Sequence, residues 1–269
     1  MAMTVSILGC GNIGSAMAKG FVKSDKIDSK NIFLTRRNID SLSTLENEGF
    51  TITDDNEFAL TQSKIIILAV GPGQIVKLLQ EIKPNLTGEH VLISVVSGVT
   101  VADIQTHIND KVPVVRAMPN TAAALGESMT CLATTSEFEA SLQEAIELFS
   151  LIGSTLRISE GQMASATALG ACGVAFFLRA IRAASQGGIE IGFHADEAFT
   201  IAAQTARGAA SLLLDNDSHP ESEIDKVTTP QGATIAGLNE MEHQGFSSAM
   251  IKGITTSTRK IDRLFSKVD

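Results

Sequence analysis

Cysteine is scarce and scattered in this chain of 269 residues: Cys10, Cys131 and Cys172 stand far apart and form no Cys-x-x-Cys pair. With no histidine close enough to any of them to complete a metal-ligand spacing, neither a disulfide framework nor a cysteine-based metal site is expected. The three thiols read as buried and reduced. No run of apolar residues reaches the roughly 18 that span a bilayer, and Met1-Ala2-Met3-Thr4 has no basic residue of the kind that opens a signal peptide. The expectation is a cytoplasmic protein without a membrane segment. Clusters of Lys and Arg are missing too. The 21 basic residues against 30 acidic ones leave a net charge of −9, the wrong sign for a surface that must displace counterions from nucleic acid or anionic lipid. Cations that bind phosphate must therefore be few and local. There is no internal repeat and no low-complexity or long polar tract, and 44% of the residues are apolar against 19% charged. Such a chain folds throughout, and its length suits a nucleotide-binding domain with a smaller partner domain.

The first half alternates short β-rich runs with helical stretches, the pattern of a parallel sheet covered by crossover helices. The runs are Val5–Leu8, Asn31–Thr35, Ile65–Val70, Val91–Val95 and Val112–Ala117. Ile65-Ile66-Ile67-Leu68-Ala69-Val70 is apolar without alternation, as a central strand buried on both faces must be. The fold class is α/β: a Rossmann-type, doubly wound parallel sheet over residues 1–158, followed by an all-helical domain over 159–269. From Gly161 to Ile191 the chain reads as a helix of small and apolar residues, with Arg179 and Arg182 as the only charges between Gly161 and Gln186. Most of its circumference needs a cover, and a homodimer supplies one. A second helix is expected from Asp196 to Leu214, a turn over Asp215–Glu221, and a third helical region from Gly232 onward with Phe246, Met250, Ile254, Ile261 and Phe265 on helical spacing.

Gly9-Cys10-Gly11-Asn12-Ile13-Gly14 lies between the first strand and an apolar helix running from about Ile13 to Val22. That context makes a Gly-x-Gly-x-x-Gly pattern a dinucleotide fingerprint. Gly9 allows the tight turn, Gly11 lets a pyrophosphate approach the backbone, and Gly14 permits close packing of helix on strand. The free amides and dipole at the helix start favour the anion. At the end of the second strand an Asp or Glu would hydrogen-bond the ribose of NAD; Thr35-Arg36-Arg37-Asn38 stands there instead. Guanidinium groups match phosphate geometry, so Arg36 and Arg37 are assigned to a 2′-phosphate and the cofactor is read as NADPH, with NADH the weaker alternative. Asn56 is a further candidate on the adenosine side.

Four stretches resemble the pyrroline-5-carboxylate reductase family and span nearly the whole chain. They are Ala69-Val70-Gly71-Pro72, Ser94-Val95-Val96-Ser97-Gly98-Val99-Thr100, Val115-Arg116-Ala117-Met118-Pro119-Asn120-Thr121, and Asp225 to Leu238 with Thr228-Thr229-Pro230-Gln231-Gly232-Ala233-Thr234 at its centre. The resemblance implies reduction of 1-pyrroline-5-carboxylate to L-proline, the last step of proline biosynthesis. It places Ala69, Val70, Pro72, Ser97 and Gly98 along the nicotinamide half of the cofactor, Asn120 beside the nicotinamide, and Thr234 on the substrate's ring nitrogen. It also implies interlocked C-terminal helices in a homodimer or larger oligomer, with the substrate pocket completed by the partner's helices. Read from the residues, Pro230, Gly232 and a hydroxyl side chain at a helix start present free amides to a small anion. Gly232, Ala233 and Thr234 are thus assigned to the substrate carboxylate, with Gln231 able to project toward it.

Three positions depart from the family pattern. Gly71-Pro72 stands for Lys-Pro, Gln231 for the first Gly of the substrate turn, and Ala171-Cys172-Gly173-Val174-Ala175 for Gly-Ser-Gly-Pro-Ala. They leave open another cyclic imine as substrate and a non-catalytic NADP-binding regulator of the same fold. A β-hydroxyacid dehydrogenase would need a Lys on the long helix of its second domain, and residues 161–225 contain none. Imine reduction needs no strong acid or base, so His194, His219, His243 and Glu160 are read as structural or solvated.

Overall fold

The computed structural model describes residues 3–109, 111–216 and 218–264. Its first half builds one eight-stranded sheet in the order β3-β2-β1-β4-β5-β6-β7-β8. The elements run β1 (Val5–Leu8), α1 (Asn12–Lys23), β2 (Ile32–Thr35), α2 (Ser43–Asn47), β3 (Thr51–Thr53), α3 (Asn56–Thr61), β4 (Ile65–Leu68) and α4 (Ile75–Ile82). They continue through β5 (Val91–Ser94), α5 (Val101–His107), β6 (Val114–Met118), β7 (Ser128–Ala133), α6 (Glu139–Phe149) and β8 (Gly153–Arg157). All neighbours pair in parallel except β6 with β7.

The central strand explains why the sheet is covered on both faces. Ile65 and Ile67 belong to one apolar core and Ile66 and Leu68 to the other, because successive side chains leave a strand on opposite sides. Each fully buried Ile contributes about 1.5–3 kcal/mol, so β4 anchors the sheet from either face. Its neighbour β1 carries one polar residue inward, Ser6, whose hydroxyl donates to the Ala59 carbonyl at 2.6 Å. The expected α/β architecture is present, and the five expected strands are among the eight observed.

After β8 come α7 (Met163–Ala166), a π-helical stretch over Thr167–Cys172, α8 (Gly173–Glu190), α9 (Ala195–Asn216), α10 (Pro220–Lys226), α11 (Ala233–His243) and α12 (Phe246–Ile261). The contact pattern divides the chain into two units: residues up to Ala171 together with those from Ser257, and Cys172–Thr256. This differs from a boundary at 158/159. The reason is packing: Met163, wholly buried, joins Met118 and Ala133 in a small core that also takes Ile158 and Ala171, so residues 160–171 belong with the sheet.

Three expectations are corrected. Glu160–Glu190 is helical for 31 residues and contains an 18-residue window with a mean hydropathy of 1.6, long and apolar enough by composition to cross a membrane, although no unbroken apolar run has that length. The segment around Pro220 is not a turn throughout: Pro220 opens α10, where its missing N–H costs nothing and its fixed φ suits the first helical turn. The region from Gly232 is two helices, broken at Gly245 with a φ of +81°. Phe265 lies outside the described residues, as do Met1 and Ala2. Of the cysteines, all free, Cys10 and Cys131 are buried, and burial pushes both thiols up from their usual range. Cys172 is only half-buried.

Within the second unit, α8 and α9 approach closely because the residues between them are small. A Cβ on Gly188 would meet the Cβ of Ala198 at 2.9 Å. The turn between the two helices is a Schellman motif: Gly192, with φ +110°, donates to the Ile189 carbonyl, and Phe193 donates to the Gly188 carbonyl.

Candidate functional site

The turn from β1 into α1 is shaped by its glycines. Gly9 has a φ of +86°, and a Cβ there would lie 2.2 Å from Val70 Cγ1. Both backbone and space therefore demand glycine. At Gly14 a Cβ would sit 3.2 Å from both Cys10 Sγ and Ile7 Cγ2, the close helix–strand approach expected of the third glycine. Gly11 is the N-cap of α1 and supplies no side-chain cap, and nothing lies within 4 Å of a Cβ built on it. The amides of Asn12, Ile13 and Gly14 open the helix without intrahelical acceptors, beside open space that fits an anion.

A polar chain ties this turn to the neighbouring elements. Gly9 N donates to Thr35 Oγ1 at 3.2 Å, and Thr35 Oγ1 donates to Asn56 Oδ1 at 2.5 Å. Asn56 Nδ2 then donates to Glu81 Oε1 at 2.9 Å. Thr35 is buried at the end of β2, and Asn56 opens α3, which Asp55 caps by accepting from Phe58 N. The amide orientation of Asn56 is thus fixed from both sides.

These residues surround a cavity of about 950 Å³ at the carboxyl ends of β1, β2 and β4. This is where doubly wound sheets take ligands. Of the residues assigned from the sequence, Gly9, Gly11, Thr35, Arg36, Arg37, Asn56, Ala69 and Val70 line it. Asn12, Ile13, Gly14, Pro72, Ser97, Gly98 and Asn120 do not. Asn120 is buried at the end of β6 with both ends of its side chain engaged. Its Oδ1 accepts from Ala122 N at 3.0 Å, and its Nδ2 donates to the Gly170 carbonyl at 3.1 Å, a group in the π-helical stretch. Gly98 has a φ of +79° in the turn after β5.

Sequence reasoning missed eight residues of the cavity lining: Asn38, Asp54, Gly71 and Gly73, and along one wall Gln74 at the N-cap of α4 with Lys77, Leu78 and Glu81 of that helix. Their spacing on α4 (i, i+3, i+4, i+7) is the only signal that could have found the helical part of this wall. Arg36 and Arg37 are exposed and line the same cavity, and no acceptor for either guanidinium is found among the described residues.

In the second unit, the turn before α11 has the geometry its sequence suggests. Gln231 has a φ of +57°, left-handed backbone that favours glycine and costs other residues roughly 1 kcal/mol or more. A Cβ on Gly232 would meet Thr229 Oγ1 at 2.4 Å, so this glycine is required by close approach. Gly232 N donates to the Thr229 carbonyl at 2.9 Å, which leaves Ala233 and Thr234 as the amides open to an anion. Gly232 is the N-cap and no side chain caps the helix.

Glu160 is structural. Its Oε1 accepts from Val101 N at 2.6 Å and lies 3.4 Å from Nη1 of Arg116, a side chain only 6% exposed. Burial lowers the Arg116 pKa, while Glu160 and Asp103 act to raise it, and Arg116 Nε has no partner among the described residues. Glu160→Gln removes the counter-charge of a buried guanidinium. Breaking a fully buried pair costs about 3–5 kcal/mol; because the Glu160 side chain keeps 29% exposure, the expected loss is about 2 kcal/mol, read as a lower urea midpoint. Replacing Arg116 with Met in the same chain should recover part of it. A single variant as stable as the parent would show that the pair stabilises nothing. Of the histidines, His219 caps α10 by accepting from Glu221 N at 3.3 Å, and His194 lies at the start of α9, where its backbone N–H donates to Glu197.

Comparison with known proteins covers nearly the whole chain. Residues 160–264 match a family model described as pyrroline-5-carboxylate reductase dimerisation, and residues 4–98 match one described as NADP oxidoreductase, coenzyme F420-dependent. The chain is similar to pyrroline-5-carboxylate reductase 1 of Dictyostelium discoideum, 53% identical over 98% of the chain, and spans about half (50%) of that relative's length. It is 51% identical to pyrroline-5-carboxylate reductase 2 of the same organism, over 95% of the chain and 91% of the relative. Among solved structures it resembles a Plasmodium falciparum pyrroline carboxylate reductase with NADP bound, at a TM-score of 0.89 and 23% identity, covering 98% of each chain. That identity carries the fold.

Proposed function

The chain belongs to the pyrroline-5-carboxylate reductase family, and from that premise we propose that it reduces the C=N bond of 1-pyrroline-5-carboxylate with NADPH to give L-proline. Binding of a nicotinamide cofactor follows from the matched oxidoreductase model and from the NADP-bound relative of the same fold. NADPH rather than NADH is favoured by Arg36 and Arg37 in the cavity, where a residue for the NAD ribose would otherwise be an Asp or Glu. The observation that carries the reading is the presence in one chain of the glycine-shaped cavity and of the Thr229–Thr234 turn with its open amides.

The reduced nicotinamide supplies a hydride, and the chain's residues bind and orient. The amides of Asn12, Ile13 and Gly14 hold the pyrophosphate, Arg36 and Arg37 the 2′-phosphate, and Ala69, Val70, Pro72, Ser97, Gly98 and Asn120 belong to the nicotinamide half. The Ala233 and Thr234 amides hold the substrate carboxylate, with Gly232 setting their direction and Gln231 flanking them. The Thr234 hydroxyl hydrogen-bonds the ring nitrogen, which receives the electron pair of the C=N bond as hydride reaches carbon. A protonated imine is already electrophilic, so alignment and one directed hydrogen bond suffice. The setting is aqueous and cytoplasmic, with a second copy of the chain as partner.

A single spectrophotometric series tests the reading: NADPH oxidation with 1-pyrroline-5-carboxylate, other cyclic imines and keto acids. Turnover of pyrroline-5-carboxylate above the others is expected. Preference for a keto acid, or no turnover at all, would overturn the assignment. Thr234→Ala should lower kcat about tenfold while the Kd for NADPH stays within about twofold, because one hydrogen bond at the reacting nitrogen is lost. Unchanged kcat would remove Thr234 from the site.

A further inference from the structure

We propose that Lys77 is a third cation for the cofactor's 2′-phosphate and so helps determine cofactor specificity. The inference rests on the NADPH reading above and deepens it. Helix α4 turns one face to the cavity, with its N-cap Gln74 and then Lys77, Leu78 and Glu81 at successive turns. Two of the three polar side chains on this face are already committed. Gln74 Oε1 accepts from Gly71 N at 3.3 Å, and Glu81 Oε1 accepts from Asn56 Nδ2 at 2.9 Å. Lys77 is exposed, and its ammonium has no hydrogen-bond or ion-pair acceptor among the described residues.

A Lys with a Glu four residues on would ordinarily pair with it along a helix surface. Here the chain from Gly9 through Thr35 and Asn56 draws Glu81 away, and no Lys77–Glu81 ion pair forms within 4.0 Å. The result is an ammonium without an acceptor among the described residues, on the wall of the cavity that Arg36 and Arg37 also line, rather than a neutralised helix surface.

Charge balance says what it is for. The charged side chains lining the cavity are Arg36, Arg37 and Lys77 against Asp54 and Glu81. A phosphate monoester carries about −1.5 to −2 charges near neutral pH. Without Lys77 the two arginines only offset the two carboxylates, and a dianion would enter a locally neutral site in a protein whose net charge is −9. With Lys77 the site is cationic. The pyrophosphate has a separate source of positive potential in the α1 amides, so the surplus cation is assigned to the 2′-phosphate.

The test compares two probes that differ only by that group, adenosine 2′,5′-bisphosphate and 5′-AMP, titrated calorimetrically into the full chain carrying Lys77→Met or Lys77→Arg. Lys77→Met, which keeps the stem and removes the charge, should weaken the bisphosphate about tenfold and 5′-AMP less than twofold, with a larger effect at low salt. Lys77→Arg should stay within about threefold of the parent for both. Equal weakening of both probes, or none, would overturn the proposal while leaving the parent's preference for the bisphosphate intact. A parent chain that binds the two probes equally would instead sink the NADPH reading itself, and Lys77 with it. The side chain is exposed, so an unchanged melting temperature is expected for every variant.

Discussion

Replacing Arg36 and Arg37 together with Ser should raise the Kd for NADPH about a hundredfold and leave NADH within about threefold. On the proposed assignment each guanidinium makes charge-assisted hydrogen bonds worth about 1.5 kcal/mol or more to the phosphate dianion, and two such losses multiply to about two orders of magnitude. Neither side chain is used in holding the fold: both are exposed and have no acceptor among the described residues. The substitution should therefore leave the melting temperature nearly unchanged, which separates a binding effect from unfolding. A second consequence follows from Asp54 and Glu81, which line the same cavity. With the arginines gone the lining becomes net acidic even with Lys77 in place, and NADPH, the more highly charged cofactor, is then disfavoured by repulsion as well as by lost contacts. The double variant should prefer NADH. Fluorescence titration with each reduced cofactor checks this, and equal weakening of the two would sink the assignment of these arginines to the 2′-phosphate.

The part of the fold that could be read from the sequence is the part whose strands are buried on both faces. β1, β2, β4, β5 and β6 are apolar runs because helices cover the sheet on either side. The missed strands lack that signal for different reasons. β3 has three half-buried residues, Thr51, Ile52 and Thr53, too short to show a period. β8 lies at the sheet's edge and is largely exposed, with Leu156 at 51%. β7 looks polar because it begins Ser-Met-Thr, yet Ser128 and Thr130 are buried within 3.2 Å of each other, and Ser128 Oγ accepts from Asn120 N at 3.0 Å. Those hydroxyls are satisfied locally, so their burial costs little. The same distinction holds in the cavity. Backbone-driven features such as Gly9 and Gly14 show in sequence because a side chain there meets strained backbone or a close neighbour. The α4 wall does not, since Gln74, Lys77, Leu78 and Glu81 read as the edge of an ordinary amphipathic helix until they are found lining the same cavity as the turn after β2.

In solution the chain should be a dimer, with no stable, active species at its single-chain mass of 28.4 kDa. The second unit has almost no core of its own: Gly173, Ser185 and Ala198 are its only fully buried residues among those described. Large apolar side chains remain open to solvent, with Phe177 at 62%, Leu178 at 59%, Phe199 at 56% and Ile251 at 61% exposure. Soluble monomers rarely leave so many large apolar side chains of one helical unit bare. A helical unit of this size that buries so little would not hold its fold against chain entropy. A second copy and a bilayer are the two covers this surface could take, and Glu160–Glu190 passes the composition test for the latter. The match of residues 160–264 to a dimerisation model favours the second copy, as do Arg179 and Arg182 in the middle of α8, each costly in hydrocarbon. The two-fold interface should bury about 2,000 Å² or more with an apolar centre. Light scattering at low micromolar concentration is expected to return twice the chain mass without detergent, and the melting temperature should rise with protein concentration. Phe177→Asp should collapse that assembly into aggregate or unfolded chain, because a carboxylate buried at the interface has no partner. A stable, active monomer, or sedimentation of the parent chain with phospholipid vesicles, would refute the dimer as the state that completes the helical unit.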